Sequence, residues 1–324
     1  LKGVLSFKLP HPICNIYLAF VCYYIMLLAF GVRPYLAIAG ALAFGLSTYL
    51  IIGLSVGHNS RIGAIAFMPL VVAGVHLVFS GKQILGLGVT TAGLALHFRE
   101  NHVQITYYLL LILIGYGIMQ LVVFIRANKT KEFFTRFVWL IPSGIIAVGT
   151  FIGPMWAVQE YSAYSRGKSE LVSTGAQDAS DGLDREYAFR YNYAIDEIMT
   201  LLVPNYYGGS SRNLFVQDRE SAVYKALARN GDEKMFNQLA YYSAAYWGPS
   251  TPSPYYAGAI IVFLFALGIA VAEKKYVWWL VTISVIAAMM SWGSNFAAFN
   301  YFIFDYLPGY NKFRSVTFAI IMIL

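Results

Sequence analysis

Apolar and polar positions follow one another along this chain in long blocks, not at the short period of an amphipathic helix or strand. Mostly apolar runs cover 13–32, 35–57, 62–80, 84–98, 105–126, 137–158, 256–272 and 276–292, and a last run opens at 315–324. Most approach the roughly 20 residues that a helix needs to cross a hydrocarbon core. Backbone polar groups in lipid must be paired within the structure, which makes helices the natural state of such runs. The pattern predicts eight spanning helices and the start of a ninth, an all-α polytopic membrane protein. About six spans lie in 1–158, a loop segment occupies 159–255, and 256–324 holds two spans plus a truncated third.

Composition agrees. The chain is 58% hydrophobic and 12% charged, with a mean hydropathy of +0.59, whereas soluble domains carry about 25% charged residues. Aromatics reach 17%, as expected where Tyr and Trp line a water–lipid boundary. Cys14 and Cys22 sit on one apolar run, about 12 Å apart along a helix, too far for a disulfide within it. The chain opens on Leu1 and stops ten residues into an apolar run. It therefore reads as a fragment lacking N- and C-terminal parts.

Charge orients the spans. Connections on one side hold Arg33, Lys82, Arg126, Lys129, Lys131, Arg136, Lys274 and Lys275 against Glu132 and Glu273. The positive-inside rule makes this the cytoplasmic face. The other side holds the N-terminal stretch, "GHNSR" (57–61), "HFRENHVQ" (97–104), the segment 159–255 and the loop 293–314. Segment 159–255 has nine Lys/Arg and twelve Asp/Glu, a net of −3, so the chain's +7 leaves +10 elsewhere. That excess follows topology and is no sign of a nucleic-acid partner. The polar clusters all fall on the outward face, and this one-sidedness is the main functional signal.

The run before "HFRENHVQ" spans only about 22 Å as a helix, so its polar end is expected at lipid-headgroup depth. If the helix continued, His97, Glu100, Asn101 and Gln104 would share one face, and Arg99 and His102 another. Ionisable groups at that depth usually face a protein interior or a wet cavity. Arg99 and His102 suit a phosphate, because the planar donors of arginine match phosphate oxygens. Glu100 is either a free carboxylate for acid–base work or the counter-ion of Arg99. "GHNSR" adds His58, Asn59 and Arg61 as donors at the same boundary. The bland reading of both motifs is a polar turn with a snorkelling arginine.

Segment 159–255 opens with Glu160, a second candidate carboxylate, and Arg166, a further cation. Its "PNYYGG" and "YWGP" strings offer Tyr206, Tyr207 and Trp247 as surfaces for a sugar or an acceptor, although headgroup anchoring is the commoner role of Trp. In the last loop Lys312 and Arg314 are candidates for lipid phosphate or for topology anchoring. No G-x-x-x-x-G-K-[ST], H-E-x-x-H, paired C-x-x-C or G-x-S-x-G string occurs, so ATP-driven work and a zinc hydrolase have no support. No cofactor is implied, and a divalent metal is unsupported.

"VGHNSRIGAIAFMPLV", "LALHFRENHVQITYY", "LLVPNYYGGSS", "YWGPSTPSPYYAGA" and "SWGSNFAAFNYFIFDYLPGYNKFRS" together resemble the bacterial YfhO-like membrane protein family, across nearly the whole chain. Where the family pattern has Ala and Leu, this chain has Val56 and Met290. The Asn-Tyr-Tyr-Gly-Gly form is similar to the branch found in Bacteroidetes-type bacteria. The resemblance implies a class C (GT-C) glycosyltransferase bundle in the bacterial cytoplasmic (inner) membrane, with the large loop extracytoplasmic. It implies a polyprenyl-phosphate-linked sugar as donor and a cell-envelope polymer as acceptor. It also implies a principal catalytic carboxylate in a first outer loop upstream of Leu1. Within this chain Glu100 and Glu160 are the available carboxylates, while His58, Arg61, Arg99, His102 and Arg314 would absorb charge on a leaving phosphate.

Two other readings stand beside it. A transporter or flippase for a polar lipid predicts ionisable groups deep in the spans, where only His76 and Gln120 break the apolar pattern. A non-catalytic subunit would dock a protein partner through its outer segment.

Overall fold

The stretch from Asn59 to Phe79 is apolar on every side, and a helix of that kind belongs in an interior. A computed structural model, which describes residues 2–162, 182–209, 218–230, 246–247 and 255–323, puts it there, with 18 of its 21 residues buried. In chain order the helices are α1 (Lys2–Leu5), α2 (Ile13–Ala29), α3 (Pro34–Gly45), α4 (Thr48–Ser55), α5 (Asn59–Phe79) and α6 (Gln83–Arg99). Next come α7 (Val103–Arg126), α8 (Thr130–Val138), α9 (Leu140–Gly149), α10 (Ile152–Ser162), α11 (Arg185–Phe189) and α12 (Ala222–Asn230). The last are α13 (Ala259–Val271), α14 (Lys274–Ser291) and α15 (Ala297–Tyr306), with 3₁₀ turns at Asp196–Leu201, Gly293–Phe296, Tyr310–Lys312 and Val316–Met322. Among the described residues the only β pairing is an isolated bridge between Gly208 and Tyr246.

Helix α5 packs against α6 and α2, α2 against α3, α6 against α9, and the Val316–Met322 turn against α14. Small residues set the α5–α6 distance. A Cβ placed on Gly74 would lie 2.4 Å from the Thr90 backbone nitrogen, and one on Gly86 would lie 2.6 Å from that of Val78. Such close backbone approach is how helices associate where lipid supplies no hydrophobic drive between them.

Among the described residues four helical stretches are long and apolar enough to cross a membrane: Pro34–Ser55, Asn59–Phe79, Val103–Arg126 and Thr130–Gly149. A fifth results if α14 and the stretch Gly293–Tyr306, bent by 114° from it, form one span. These helices point to a membrane protein. Helices α2 and α13 are apolar but shorter, at 17 and 13 residues.

Several predicted boundaries need correction. The expected span 137–158 is interrupted at Thr150 and Phe151, and α9 instead continues from α8 to make the span-length stretch. Pro154 lacks the N–H that would donate to the carbonyl of Thr150, which favours a break at that turn. The expected span 35–57 breaks at Leu46 and Ser47. Residues 315–323 form no α-helix but hold a buried 3₁₀ turn, Val316–Met322. The expected loop 293–314 contains a helix of its own, α15.

Contacts sort the connections into two ends. At the basic-loop end, Arg136 donates to the Phe79 carbonyl and pairs with Glu132. There Phe30 stacks on His76 with centroids 3.8 Å apart and meets Tyr276 edge-on at 5.8 Å. At the opposite end, Gln104 reaches the Arg314 carbonyl at 2.8 Å, and the Tyr193 N–H donates to the Ser291 carbonyl at 2.8 Å.

The two polar residues expected inside the spans find each other. His76 Nδ1 lies 2.6 Å from the Tyr116 hydroxyl, Gln120 donates to that hydroxyl at 2.5 Å, and Ser80 meets His76 Nε2 at 3.1 Å. Buried polar groups paired in this way rigidify a core.

Candidate functional site

Helix α6 ends at Arg99, and Asn101 takes a left-handed φ of +52° before α7 starts at Val103. Asn tolerates that conformation better than most residues and commonly terminates helices. The helix therefore does not continue through "HFRENHVQ", and the predicted sharing of faces between 97 and 104 does not hold. The turn instead delivers His102 to the mouth of α7 and folds Glu100 back over the first turn of α5.

Three donors of the two polar motifs meet around one ring. The Arg61 guanidinium lies over Phe318, 4.3 Å from its centroid, and over Tyr49 at 5.4 Å. The His58 and His102 rings lie 6.4 and 6.2 Å from the same Phe318 ring. Arg61 is 3% exposed, and among the described residues it forms neither ion pair nor hydrogen bond; its Nε is buried without a partner. His102 Nδ1 and Asn59 Oδ1 are likewise buried and unpartnered. Cation–π contact offsets part of the burial, but a buried charge without a counter-charge is strongly unfavourable. The arrangement suits an anion.

Electrostatics fit that view. Burial, then the Arg61 charge, then His58 push the His102 pKa down to about 4. His58 is lowered by burial and by Arg61. Both rings are neutral near pH 7, and each can donate one N–H without adding repulsion to Arg61. The pH dependence follows. An unfolded chain protonates His102 near its ordinary value of about 6.5, so the stability contributed by keeping the ring neutral is fully present above that pH. It is lost progressively as pH falls from there through the folded value of about 4. Melting temperature should therefore drop across that window, and His102→Phe should flatten the drop.

Glu100 sits beside this cluster in a separate contact. It accepts from Lys2 Nζ at 2.6 Å, with side-chain exposures of 10% and 16%, and its backbone carbonyl accepts from Ser60. Its carboxylate packs on Gly63, where an added Cβ would lie 2.2 Å from Oε2. The counter-ion is thus Lys2 and not Arg99, which is exposed.

The remaining candidates divide. His97 is fully buried, with Nδ1 2.9 Å from the Ala64 carbonyl and Nε2 2.9 Å from Thr106 Oγ1; both nitrogens are used, so it rivets α5, α6 and α7 and binds no headgroup. Gln104 is buried, spanning from the Tyr108 hydroxyl at 3.0 Å to the Arg314 carbonyl, so it holds the last loop rather than a ligand. Arg314 donates to the Tyr187 hydroxyl at 2.7 Å and stacks on that ring. Lys312, Arg99 and Asn101 are exposed. Glu160 is exposed on α10, and none of the contacts that join the cluster involves it. Arg166 lies outside the described residues.

Arg99 and Arg61 consequently part company. Exposed side chains away from special features change stability by about 0.5 kcal/mol or less, so Arg99→Ala should leave melting temperature and phosphate binding close to wild type. A tenfold loss of binding in that variant would contradict the assignment to Arg61.

The chain matches no family model, no curated protein and no solved structure. Function must be argued from the site. Among the described residues no group of three His, Cys, Asp or Glu side chains could hold a metal ion.

A second polar patch lies in the segment between α10 and α13. The Tyr207 hydroxyl donates to Asp196, and Tyr207 meets Tyr206 and Trp247 edge-on at 5.0 and 4.9 Å. Trp247 is 68% exposed. Glu197 accepts from the Tyr246 hydroxyl at 2.7 Å and from the Ala194 N–H at 3.0 Å. This segment is tied to α4, since the Tyr256 N–H donates to Thr48 Oγ1 at 2.8 Å and Tyr255 lies 4.5 Å from Tyr49. Tyr49 is also a ring under Arg61, so one tyrosine pair links the patch to the cluster. Phe318, Tyr49 and Lys2 were missed by sequence reasoning: two sit in apolar runs, and nothing in their neighbourhood marks them.

Proposed function

We propose that the chain is the membrane-embedded part of an extracytoplasmic GT-C-type glycosyltransferase that takes a sugar from a polyprenyl-phosphate donor to a cell-envelope acceptor. The observation that carries the reading is Arg61, a buried cation with no counter-charge among the described residues, flanked by His102 and His58 at the end of the bundle opposite the basic loops. In transfer, the acceptor hydroxyl oxygen bonds to the anomeric carbon as the bond to the phosphate oxygen breaks. The phosphate keeps the electron pair, and Arg61 with the two imidazole N–H groups is placed to stabilise that charge. The acceptor proton needs a carboxylate. Glu100, which packs on Gly63 two residues from Arg61 and pairs with Lys2, is a carboxylate beside the cluster. The Tyr206, Tyr207 and Trp247 patch offers an aromatic face to a sugar.

The test is donor turnover. The chain reconstituted in lipid nanodiscs should release free polyprenyl phosphate from a polyprenyl-phosphate sugar when acceptor polymer is added. Binding of the donor without release would favour a non-catalytic subunit. That second reading draws on α10, which leaves Met155, Trp156 and Tyr161 exposed, and predicts co-purification of a stoichiometric partner.

A further inference from the structure

Transfer as proposed above changes the charge of the phosphate it releases. A phosphodiester donor carries one negative charge. The phosphomonoester left behind carries up to two, because its second proton leaves near pH 6. The acceptor hydroxyl gives up one proton in the same step. The cluster meets both changes with a single fixed cation, Arg61, so the neighbours of Arg61 that can take a proton decide which phosphate it prefers.

Among the described residues two such groups face it. His58 stands at the N-cap of α5 and is exposed; His102 stands at the N-cap of α7 and is half-buried, with Nδ1 enclosed and unpartnered. The other ionisable neighbours are committed elsewhere or turned outward. On α6 both ring nitrogens of His97 are bonded, Glu100 just past its end pairs with Lys2 of α1, and Arg99 is exposed. Helix α4 contributes the buried phenol of Tyr49, and α7 the neutral Gln104. The Val316–Met322 turn contributes the uncharged Phe318, and Arg314 before it is engaged by Tyr187. Burial and then the Arg61 charge disfavour a proton on His102. A dianion set against Arg61 turns that local charge from positive to negative, and a proton on His102 is then attracted. A monoanion merely cancels it and leaves burial to oppose the proton.

We infer that His102 takes up a proton when the cluster binds a dianionic phosphate, so that the site favours a phosphomonoester over a phosphodiester as pH falls. This rests on the anion-binding reading of the cluster and adds to it a residue that reads the charge of the ligand. In the transfer reaction the proton leaving the acceptor hydroxyl, once handed on by the carboxylate that removes it, comes to rest on His102. Arg61 and the imidazolium then balance the two charges of the released phosphate. A group whose pKa rises on binding tightens binding as pH falls through its value in the complex. The gain stops at its value without ligand, about 4 for His102.

The experiment uses the full chain in detergent and two probes that do not themselves titrate between about pH 5 and pH 8: sulfate, a dianion, and dimethyl phosphate, a monoanion. Titration calorimetry at constant ionic strength, in two buffers of different protonation heat, reads affinity and protons taken up together. Sulfate should bind about tenfold more tightly at pH 5 than at pH 8, with uptake rising toward one proton per anion, while dimethyl phosphate affinity changes less than about threefold. Arg61→Met should abolish binding of both. His102→Gln, or His102→Asn should the first not fold, should weaken sulfate binding and remove its dependence on pH; His58→Gln should weaken binding and keep that dependence. A pH dependence that survives in His102→Gln would overturn the assignment to His102, and equal pH dependence for the two anions would overturn the reading of charge. Sulfate binding that needs Arg61 yet ignores pH would overturn proton uptake and leave the anion site standing. No binding of either anion at any pH would remove the anion site itself.

Discussion

Arg61→Met is expected to make the protein more stable and less able to bind. Most disruptive substitutions lower both properties, so the opposite signs are diagnostic. The guanidinium is buried between Phe318 and Tyr49 with no acid beside it. Replacing buried charges by apolar side chains of similar volume is often stabilising, by about 1–4 kcal/mol. A rise of several degrees in melting temperature in detergent is the expected readout, since about 1 kcal/mol moves the midpoint of a large domain by about 2–4 °C. The same change removes the cluster's only fixed charge. Loss of a charge-assisted contact costs about 3 kcal/mol, so lipid-phosphate affinity should fall by roughly two powers of ten. Arg61→Met with unchanged affinity would refute the anion site, and a lowered melting temperature would show that Arg61 holds the fold.

The second large effect concerns architecture. Gly74→Leu should prevent assembly of the bundle, because the added side chain would enter the Thr90 backbone, 2.4 Å from the position of its Cβ. Overpacking in a tight core typically costs about 1–3 kcal/mol, and here the obstacle is main chain, which cannot rotate aside. Loss of the monodisperse peak in size-exclusion chromatography would report the failure. Gly88→Leu is the control on the same pair of helices, as nothing lies within 4 Å of its added Cβ, and it should elute as wild type.

Much of this organisation was readable from the chain. Apolar block lengths located α5, α6 and α7 within a few residues, because continuous burial leaves a continuous apolar record. The division of connections between two ends was readable as well, since eight basic residues against two acids gather on one side and the His- and Asn-bearing motifs on the other. Breaks were harder to see. Thr150 and Ser47 interrupt runs that stay apolar, so hydropathy passes over them, although Pro154 was a local signal for the first. Within the candidate site, residue type indicated donors but could not rank them. His97 and His102 lie in one octapeptide, yet one is consumed by Ala64 and Thr106 while the other keeps a bare nitrogen. Arg99 and Arg61 differ in the same way. The difference is made by partners distant in sequence, above all Phe318, which lies 257 positions beyond Arg61 and is brought back onto the first turn of α5. Distance of that kind leaves no local trace.

The enclosure of α5 also bears on how such a protein can diverge. A helix with one face in lipid changes freely there, because one fluid hydrocarbon neighbour is much like another. With neighbours around nearly its whole circumference, α5 has almost no such idle side, so acceptable changes along it must arrive in matched pairs with α2 or α6. Its history should be one of slow, coordinated drift, while the lipid-facing rows of α7 turn over one residue at a time.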